Sequence, residues 1–273
     1  MRPCDLPEPA LTLPAAMLKV VVRESGSERI DTVPEEVPVA LSYNGISHAV
    51  MLTSPADLED FGLGFSLSEG ILTRPSELYD LELEVSEHGV VVQMRVSEER
   101  FVGLKARRRT LSGRTGCGLC GIESLDQVAR PLAPLAAGQP MPAASMHNAL
   151  RQLQLNQPLR ASTGGVHAAA WVDRAGKLLA VREDVGRHNA LDKLIGAMIH
   201  MDADPRQGFA LVTSRASFEM VQKAASVGIP LLAAVSAPTG YAIRLARETG
   251  LTLAGFVRSD RHILYAHPER ITE

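Results

Sequence analysis

The 273-residue chain carries 28 basic and 31 acidic side chains, a net charge of −3, so no uniform field draws it to nucleic acid or to an anionic membrane. Its content, 45% hydrophobic and 22% charged, is that of a soluble globular protein, and no apolar run reaches the length of a bilayer span. The first residues lack a charged-then-apolar leader pattern. The expected compartment is therefore the reducing cytoplasm, where paired cysteines more often do chemistry than hold a scaffold.

Residues 1–16, broken by Pro3, Pro7, Pro9 and Pro14, read as a disordered tail. Val20-Val21-Val22 opens a strand. Val37 to Tyr43 and Ile46 to Leu52 flank Asn44-Gly45, a strong hairpin signal because the tight turn needs positive φ at both central residues. Thr53-Ser54-Pro55 leads into a helix with Leu58, Phe61 and Phe65 near one face and Glu69-Gly70 at its end. Leu81 to Ser86 and Val90 to Val96 form a second hairpin around Glu87-His88-Gly89. Residues 17–110 are thus predicted to be a small α+β domain with antiparallel strands. It shows no catalytic constellation, and His48 and His88 read as surface histidines.

The segment 111–140 is predicted to be a cysteine loop and linker. Its centre is Arg114-Thr115-Gly116-Cys117-Gly118-Leu119-Cys120-Gly121, preceded by a Gly/Ser/Thr-rich run and by Lys105-Ala106-Arg107-Arg108-Arg109. Glycine leaves the sulfurs uncovered, and neighbouring positive charge favours the nucleophilic thiolate. Structural zinc needs four ligands, and the only other cysteine is Cys4, in the proline-rich tail. A thioredoxin-like dithiol opens a helix, whereas Gly118 and Gly121 are poor helix formers. Sulfur carriage ranks above disulfide exchange, and both above metal binding. Pro131, Pro134, Pro140 and Pro142 mark the linker.

Residues 141–273 read as a second domain. A helix is predicted over about 145–156, strands over 166–172 and 177–181, a helix from about 189 with Leu191, Leu194, Ile195 and Met198 on its apolar face, and a strand over 209–213. A helix over 217–227 stopped by Gly228, a strand over 229–235, a helix over 240–249 stopped by Gly250, and a strand over 251–257 follow. Alternating strands and helices imply right-handed crossovers and a parallel sheet covered on its faces. Trp171 is expected in the core.

Ligands of open α/β sheets bind beyond the carboxyl ends of strands, and here those ends are polar. They run into Arg182-Glu183-Asp184-Val185-Gly186-Arg187-His188-Asn189, Ser214-Arg215-Ala216-Ser217, Ser236-Ala237-Pro238-Thr239-Gly240 and Arg258-Ser259-Asp260-Arg261-His262. Helix amino termini and arginine forks suit phosphate. Singly, Ser214 or Ser217 reads as a helix cap; their repetition on one edge points to a phosphorylated ligand, most simply a nucleotide. No P-loop is present, and the spacing G-x-G-x-x-G occurs only within the cysteine loop, at Gly116, Gly118 and Gly121, rather than after a predicted strand. His188 suits either proton transfer or loop positioning, and His167, in Thr163-Gly164-Gly165-Val166-His167, suits a structural or a ligand-facing role.

Taken together, Gly116-Cys117-Gly118-Leu119-Cys120-Gly121, Thr163-Gly164-Gly165-Val166-His167, the block Glu183–Lys193, Ser214-Arg215-Ala216-Ser217 and Ser236-Ala237-Pro238-Thr239 resemble the FdhD family of formate dehydrogenase accessory sulfurtransferases, over about residues 37–268. The resemblance implies an α/β fold in which the small α+β domain precedes a cytidine-deaminase-like three-layer domain with a mixed, mostly parallel sheet. It implies a cytoplasmic homodimer that takes persulfide sulfur from a cysteine desulfurase on Cys117, with Cys120 as its partner. The sulfur then passes to the molybdenum (or tungsten) bis-molybdopterin guanine dinucleotide cofactor before insertion into formate dehydrogenase. It places the cofactor on Phe256, Val257, Arg258, Ser259, Asp260 and Arg261. The strand-end reading adds Ser214, Arg215, Ser236, Thr239, Asp184, Arg187, His188 and Asn189 as cofactor-binding candidates, with GDP or GMP as mimics and no resident metal. A non-catalytic cofactor-binding chaperone is the alternative. A zinc nucleotide deaminase is a third reading, opposed by the absence of H-x-E and P-C-x-x-C elements at the corresponding helix starts.

Overall fold

Positive φ at Asn44 (46°) and Gly45 (80°) turns the chain between β3 (Val37–Tyr43) and β4 (Ile46–Thr53), as the Asn-Gly pair predicts. The structure, a computed structural model, describes residues 12–111, 132–136 and 139–273. The expected disordered tail and the cysteine loop fall largely outside the described residues, Cys117 and Cys120 among them. The hairpin of β1 (Met17–Glu24) and β2 (Ser27–Pro34) precedes β3, turned at Ser25 and Gly26. After β4 come α1 (Leu58–Ser68), β5 (Leu78–Ser86), β6 (Gly89–Val96) and α2 (Glu98–Leu111). The sheet order is β4-β3-β6-β5. The expectation of antiparallel strands needs one correction: β3 and β6 are parallel, because the connection through α1 returns the chain to the far side of β3.

The remainder runs β7 (Met141–Pro142), α3 (Ala143–Leu155), α4 (Pro158–Thr163), β8 (His167–Asp173), β9 (Leu178–Asp184), α5 (Arg187–His200) and β10 (Gly208–Val212). Next are α6 (Phe218–Ser226), β11 (Leu231–Ala234), α7 (Gly240–Thr249), β12 (Thr252–Gly255), β13 (Ile263–Ala266) and β14 (Ile271–Thr272), the last pairing with β7. The six-stranded sheet has the order β13-β12-β11-β10-β8-β9. The α/β class with a mixed sheet is as expected. The parallel set is β10, β11 and β12, while β8, β9 and β13 pair antiparallel, a larger antiparallel share than the alternation suggested.

Two cores lie on the two faces of this sheet. On one, Met146, Ala149, Leu150 and Leu153 of α3 pack against Ala168, Ala170, Phe209, Leu211 and Val257. On the other, α5, α6 and α7 cover the sheet, and α1 with the β3–β6 sheet continues the same core through Phe61, Leu41, Val92 and Leu194. Each fully buried Leu or Phe there stabilises the fold by about 1.5–3 kcal/mol. Trp171 is 2% exposed, a core residue as expected. His48 departs from its expected surface position: its ring is partly buried, edge-on to Tyr43 (5.8 Å) and Phe65 (6.5 Å).

What joins the amino-terminal sheet to the rest is backbone-close contact between α1 and α5. A Cβ at Gly64 would lie 1.8 Å from the Asp192 carbonyl oxygen, and one at Gly196 would lie 2.1 Å from that of Asp60. Polar latches flank the crossing. Asp60 accepts from Arg182 Nε at 2.7 Å and lies 2.7 Å from His200 Nδ1. Lys223 Nζ donates to Glu69 (2.6 Å), Asp192 (2.9 Å) and Ser68 (3.0 Å). Burial alone would lower the Lys223 pKa, but Asp192 and Glu69 overcome it and raise it. Burial favours neutral Asp192, against the pull of Lys223 and Ser68; an ammonium bonded to oxygens of Ser68, Glu69 and Asp192 keeps the pair ionic. Gly64→Ala is expected to cost about 3 kcal/mol, because backbone rather than a side chain must yield. Urea unfolding should show a lower midpoint, and an unchanged midpoint would mean the helices can separate freely.

Candidate functional site

Strand direction decides which loops meet. Strands β9, β10, β11 and β12 all run the same way, because β8 is antiparallel to both β9 and β10. Their carboxyl ends therefore share one edge, with His167 at the start of β8 among them, across about 20 Å at about 4.8 Å per strand. The segments beyond the strands are stitched together by backbone bonds: Ala216 N to Ala237 O (3.2 Å), Thr239 N to Ala216 O (3.1 Å), Phe256 N to Ser236 O (3.2 Å) and Val257 N to Ala234 O (3.1 Å). This rim is part of the sheet rather than a set of independent loops.

Along the rim the predicted residues divide. Asp184 and Asn189 are buried and committed. The Asp184 carboxylate accepts from Thr53 Oγ1, from Ser54 N (2.9 Å) and Gly186 N (2.7 Å), from Asn189 Nδ2 (3.1 Å) and from Lys193 Nζ (2.6 Å). Asn189 also donates to Leu52 O at 2.8 Å. These two residues bind the α5 start to the amino-terminal sheet, and the bonds named commit the Asp184 carboxylate and the Asn189 amide nitrogen to protein. Val257 meets the rim through its backbone, its side chain lying fully in the α3-side core. Ser214 is 4% exposed, its hydroxyl donating to Arg215 O, whereas Arg215 is exposed. Thr239 caps α7, accepting from Ala242 N at 3.3 Å, and Ser236 is partly buried beside it.

Between α5 and α6, His188 Nε2 lies 2.8 Å from a Glu219 carboxylate oxygen without an aligned hydrogen bond. Arg187 Nε and Ser217 Oγ are buried with no hydrogen-bond partner among the described residues. Ser217 occupies the first cap position of α6 but makes no side-chain cap bond. Burial lowers the His167 pKa, and Arg187 and Arg160 lower it further, so this ring is neutral in a cationic surrounding. Buried polar atoms left unsatisfied by protein are where a polar ligand gains most.

At the other end, the loop between β12 and β13 walls a pocket of about 310 Å³ lined by Phe256, Arg258, Arg261, His262 and Ile263. Phe256 holds φ of 50°, unusual for a bulky residue, and is 38% exposed. Arg258 Nη1 donates to Val235 O (2.6 Å) and Val257 O (2.8 Å), and Arg258 N donates to Arg261 O (2.8 Å). These bonds fold the loop so that Arg258 and Arg261 share one pocket, while Ser259 and Asp260 are exposed outside it. The Arg258 guanidinium held by backbone carbonyls, the exposed Arg261 beside it and an exposed aromatic face suit phosphate and a flat base. Among the described residues no group of three or more His, Cys, Asp or Glu side chains is gathered as for a metal ion, and no helix is long and apolar enough to cross a membrane.

The residues sequence reasoning missed sit under this loop. His147 of α3 meets His262, and Arg151 of α3 donates to Ser259 O at 2.9 Å. Their four-residue spacing on a predicted helix was a visible signal, but nothing in the sequence says which loop that face meets.

The model of the FdhD/NarQ family matches residues 34–272. The chain is 59% identical over 241 residues to the sulfur carrier protein FdhD of Cupriavidus necator, covering 88% of this chain and 84% of that protein. It is 54% identical, also over 241 residues, to the sulfur carrier protein FdhD of Bordetella petrii, covering 88% and 87%. Its structure is similar to the crystal structure of a formate dehydrogenase accessory protein from Desulfotalea psychrophila, with a TM-score of 0.72, 27% identity, and 94% of this chain and 98% of that one covered.

Proposed function

This chain belongs to the FdhD/NarQ family, and from that premise we propose that it carries sulfur in the maturation of formate dehydrogenase. The observation that carries the reading is the identity of 59% to a sulfur carrier protein, within a family match that spans Cys117 and Cys120. In this reading the Cys117 thiolate attacks the terminal sulfur of a cysteine desulfurase persulfide, and the donor cysteine leaves as thiolate. The acceptor of the sulfur is the molybdenum (or tungsten) bis-molybdopterin guanine dinucleotide cofactor, bound as substrate at the strand-end rim. Attack of Cys120 on Cys117 would release the terminal sulfur as sulfide; the dithiol loses two electrons and the sulfur gains them. The protein acts as a homodimer and hands the cofactor to formate dehydrogenase.

Two observations support the rim as the cofactor site: the Arg258–Arg261 pocket, and the unsatisfied Arg187 Nε and Ser217 Oγ along the same edge. Intact mass after incubation with a desulfurase and cysteine tests the carrier reading. The expected product is one sulfur atom heavier and loses that sulfur to a reductant; a chain that gains no sulfur is a cofactor chaperone instead. For the site, Arg258→Ala is expected to weaken GDP binding by about 1.5–3 kcal/mol, the range for a charge-assisted contact. Calorimetry reads this directly, and wild-type protein that binds no GDP at millimolar concentration would remove the pocket from the mechanism.

A further inference from the structure

The pocket loop is held from beneath by one face of α3. His147 and Arg151 stand four residues apart, one helical turn, on that face. Arg151 fixes the loop backbone at Ser259 O. His147 Nε2 lies 3.1 Å from His262 Nδ1, with ring centroids 5.3 Å apart and planes at 52°. Such a contact needs an N–H on one ring and a lone pair on the other. It survives the addition of one proton to the pair, at an outer nitrogen, and is broken by a second, when both rings are cations.

His262 is also a pocket wall, beside Arg258 and Arg261. The charged and titratable groups around the pair come from three places: His147 and Arg151 from α3, Arg258, Asp260 and Arg261 from the loop, and Glu273 from the end of the chain. Burial lowers the His262 pKa, His147 lowers it further, and Glu273 opposes them. In the free protein His262 is therefore neutral at neutral pH. An anion entering between Arg258 and Arg261 adds further negative charge beside His262, and nearby opposite charge favours a cationic imidazole.

We propose that the His147–His262 pair is a proton-accepting part of this pocket, taking one proton from solvent when a phosphate-bearing ligand binds. This deepens the reading of the pocket as a nucleotide site and rests on it. The sign follows: binding raises the pKa of His262, so affinity increases as pH falls from above the value of the complex to below that of the free protein. The free value lies below the ordinary histidine value of about 6.5. His147 is a positioning residue, and His262 the group that meets the ligand's charge.

The test is calorimetry of GDP binding near neutral pH in PIPES and in ACES, whose ionisation heats differ, on wild-type protein and His262→Gln. The terminal phosphate of GDP itself titrates near about 6, and subtracting the variant removes that contribution. Wild type is expected to take up about half a proton more than His262→Gln. Its affinity should rise about three- to tenfold relative to the variant between about pH 8 and about pH 6.5. Histidine ring NMR of wild-type protein, with and without GDP, gives a second readout: the His262 signal should titrate at higher pH in the complex. Equal proton uptake by wild type and a folded variant, or an unmoved His262 titration, overturns the linkage and leaves the nucleotide site standing. Absence of GDP binding to wild type overturns both.

Discussion

Cys117→Ala is expected to accept no sulfur from a cysteine desulfurase while binding GDP as wild type does. The loss should be complete rather than partial, because a persulfide needs a thiolate at that atom and alanine has neither charge nor nucleophile. Arg258→Ala should do the reverse, losing nucleotide affinity while still gaining one sulfur atom by intact mass. The separation follows from where the groups lie. Arg258 is bonded into the rim through Val235 O and Val257 O, so its removal loosens the pocket loop and leaves the segment at 111–124 unchanged in sequence. Cys120→Ala divides the chemistry further: it should load sulfur on Cys117 but release it slowly, since no second thiol closes the disulfide. Both activities are measured in all three variants. If Cys117→Ala still activates a formate dehydrogenase client, Cys117 is not the carrier. If Cys117→Ala and Arg258→Ala each abolish both activities in folded protein, sulfur acceptance and nucleotide binding occur at a single site.

The local elements were largely legible because their signals are local. Asn44-Gly45 turns a hairpin because both residues take positive φ, and Gly228 and Gly250 take φ of 83° and 72° beyond α6 and α7. The strand-end segments lie on one edge as expected, since the alternation of strands and helices sets the direction of β10, β11 and β12. The hairpin of β1 and β2 was half read: its turn at Ser25-Gly26 is a weaker signal than Asn-Gly, and Ser27–Pro34 has only Ile30 and Val33 as large apolar residues. Helix α2 was missed because its mean hydropathy is low and its end is a basic run. Long-range commitment was not legible. Asp184 and Asn189 look like rim ligands in the sequence, and only the packing of α5 on α1 turns them inward to Thr53, Ser54 and Leu52. For the same reason His262 acquired a partner, His147, more than a hundred residues away.

That inward commitment predicts the largest change in stability. Lys193 and Asp184 are both wholly buried, Nζ to Oδ2 at 2.6 Å, and Lys193 also donates to Ser54 O at 2.9 Å. The pair sits where β9 ends, α5 begins and β4 leaves the amino-terminal sheet. Lys193→Ala leaves the carboxylate with its neutral donors, Thr53, Ser54 N, Gly186 N and Asn189, but with no countercharge and a cavity where the lysine stem lay. Breaking a buried pair from one side costs about 3–5 kcal/mol, a large part of a typical net stability of about 5–15 kcal/mol. Replacing both charges separates the pair from its surroundings. In Asp184→Asn with Lys193→Met no charge stays buried, the carboxamide oxygen can still accept from Gly186 N and Asn189 while its nitrogen faces the Thr53 hydroxyl, and methionine fills much of the stem volume, so the double variant should lose less than Lys193→Ala. Urea unfolding of both variants, read by tryptophan fluorescence at Trp171, measures the difference. A loss below about 1 kcal/mol in Lys193→Ala would place this contact among surface ion pairs in energy. In that case the attachment of the amino-terminal sheet must rest on the Gly64–Gly196 crossing and the Lys223 latch instead.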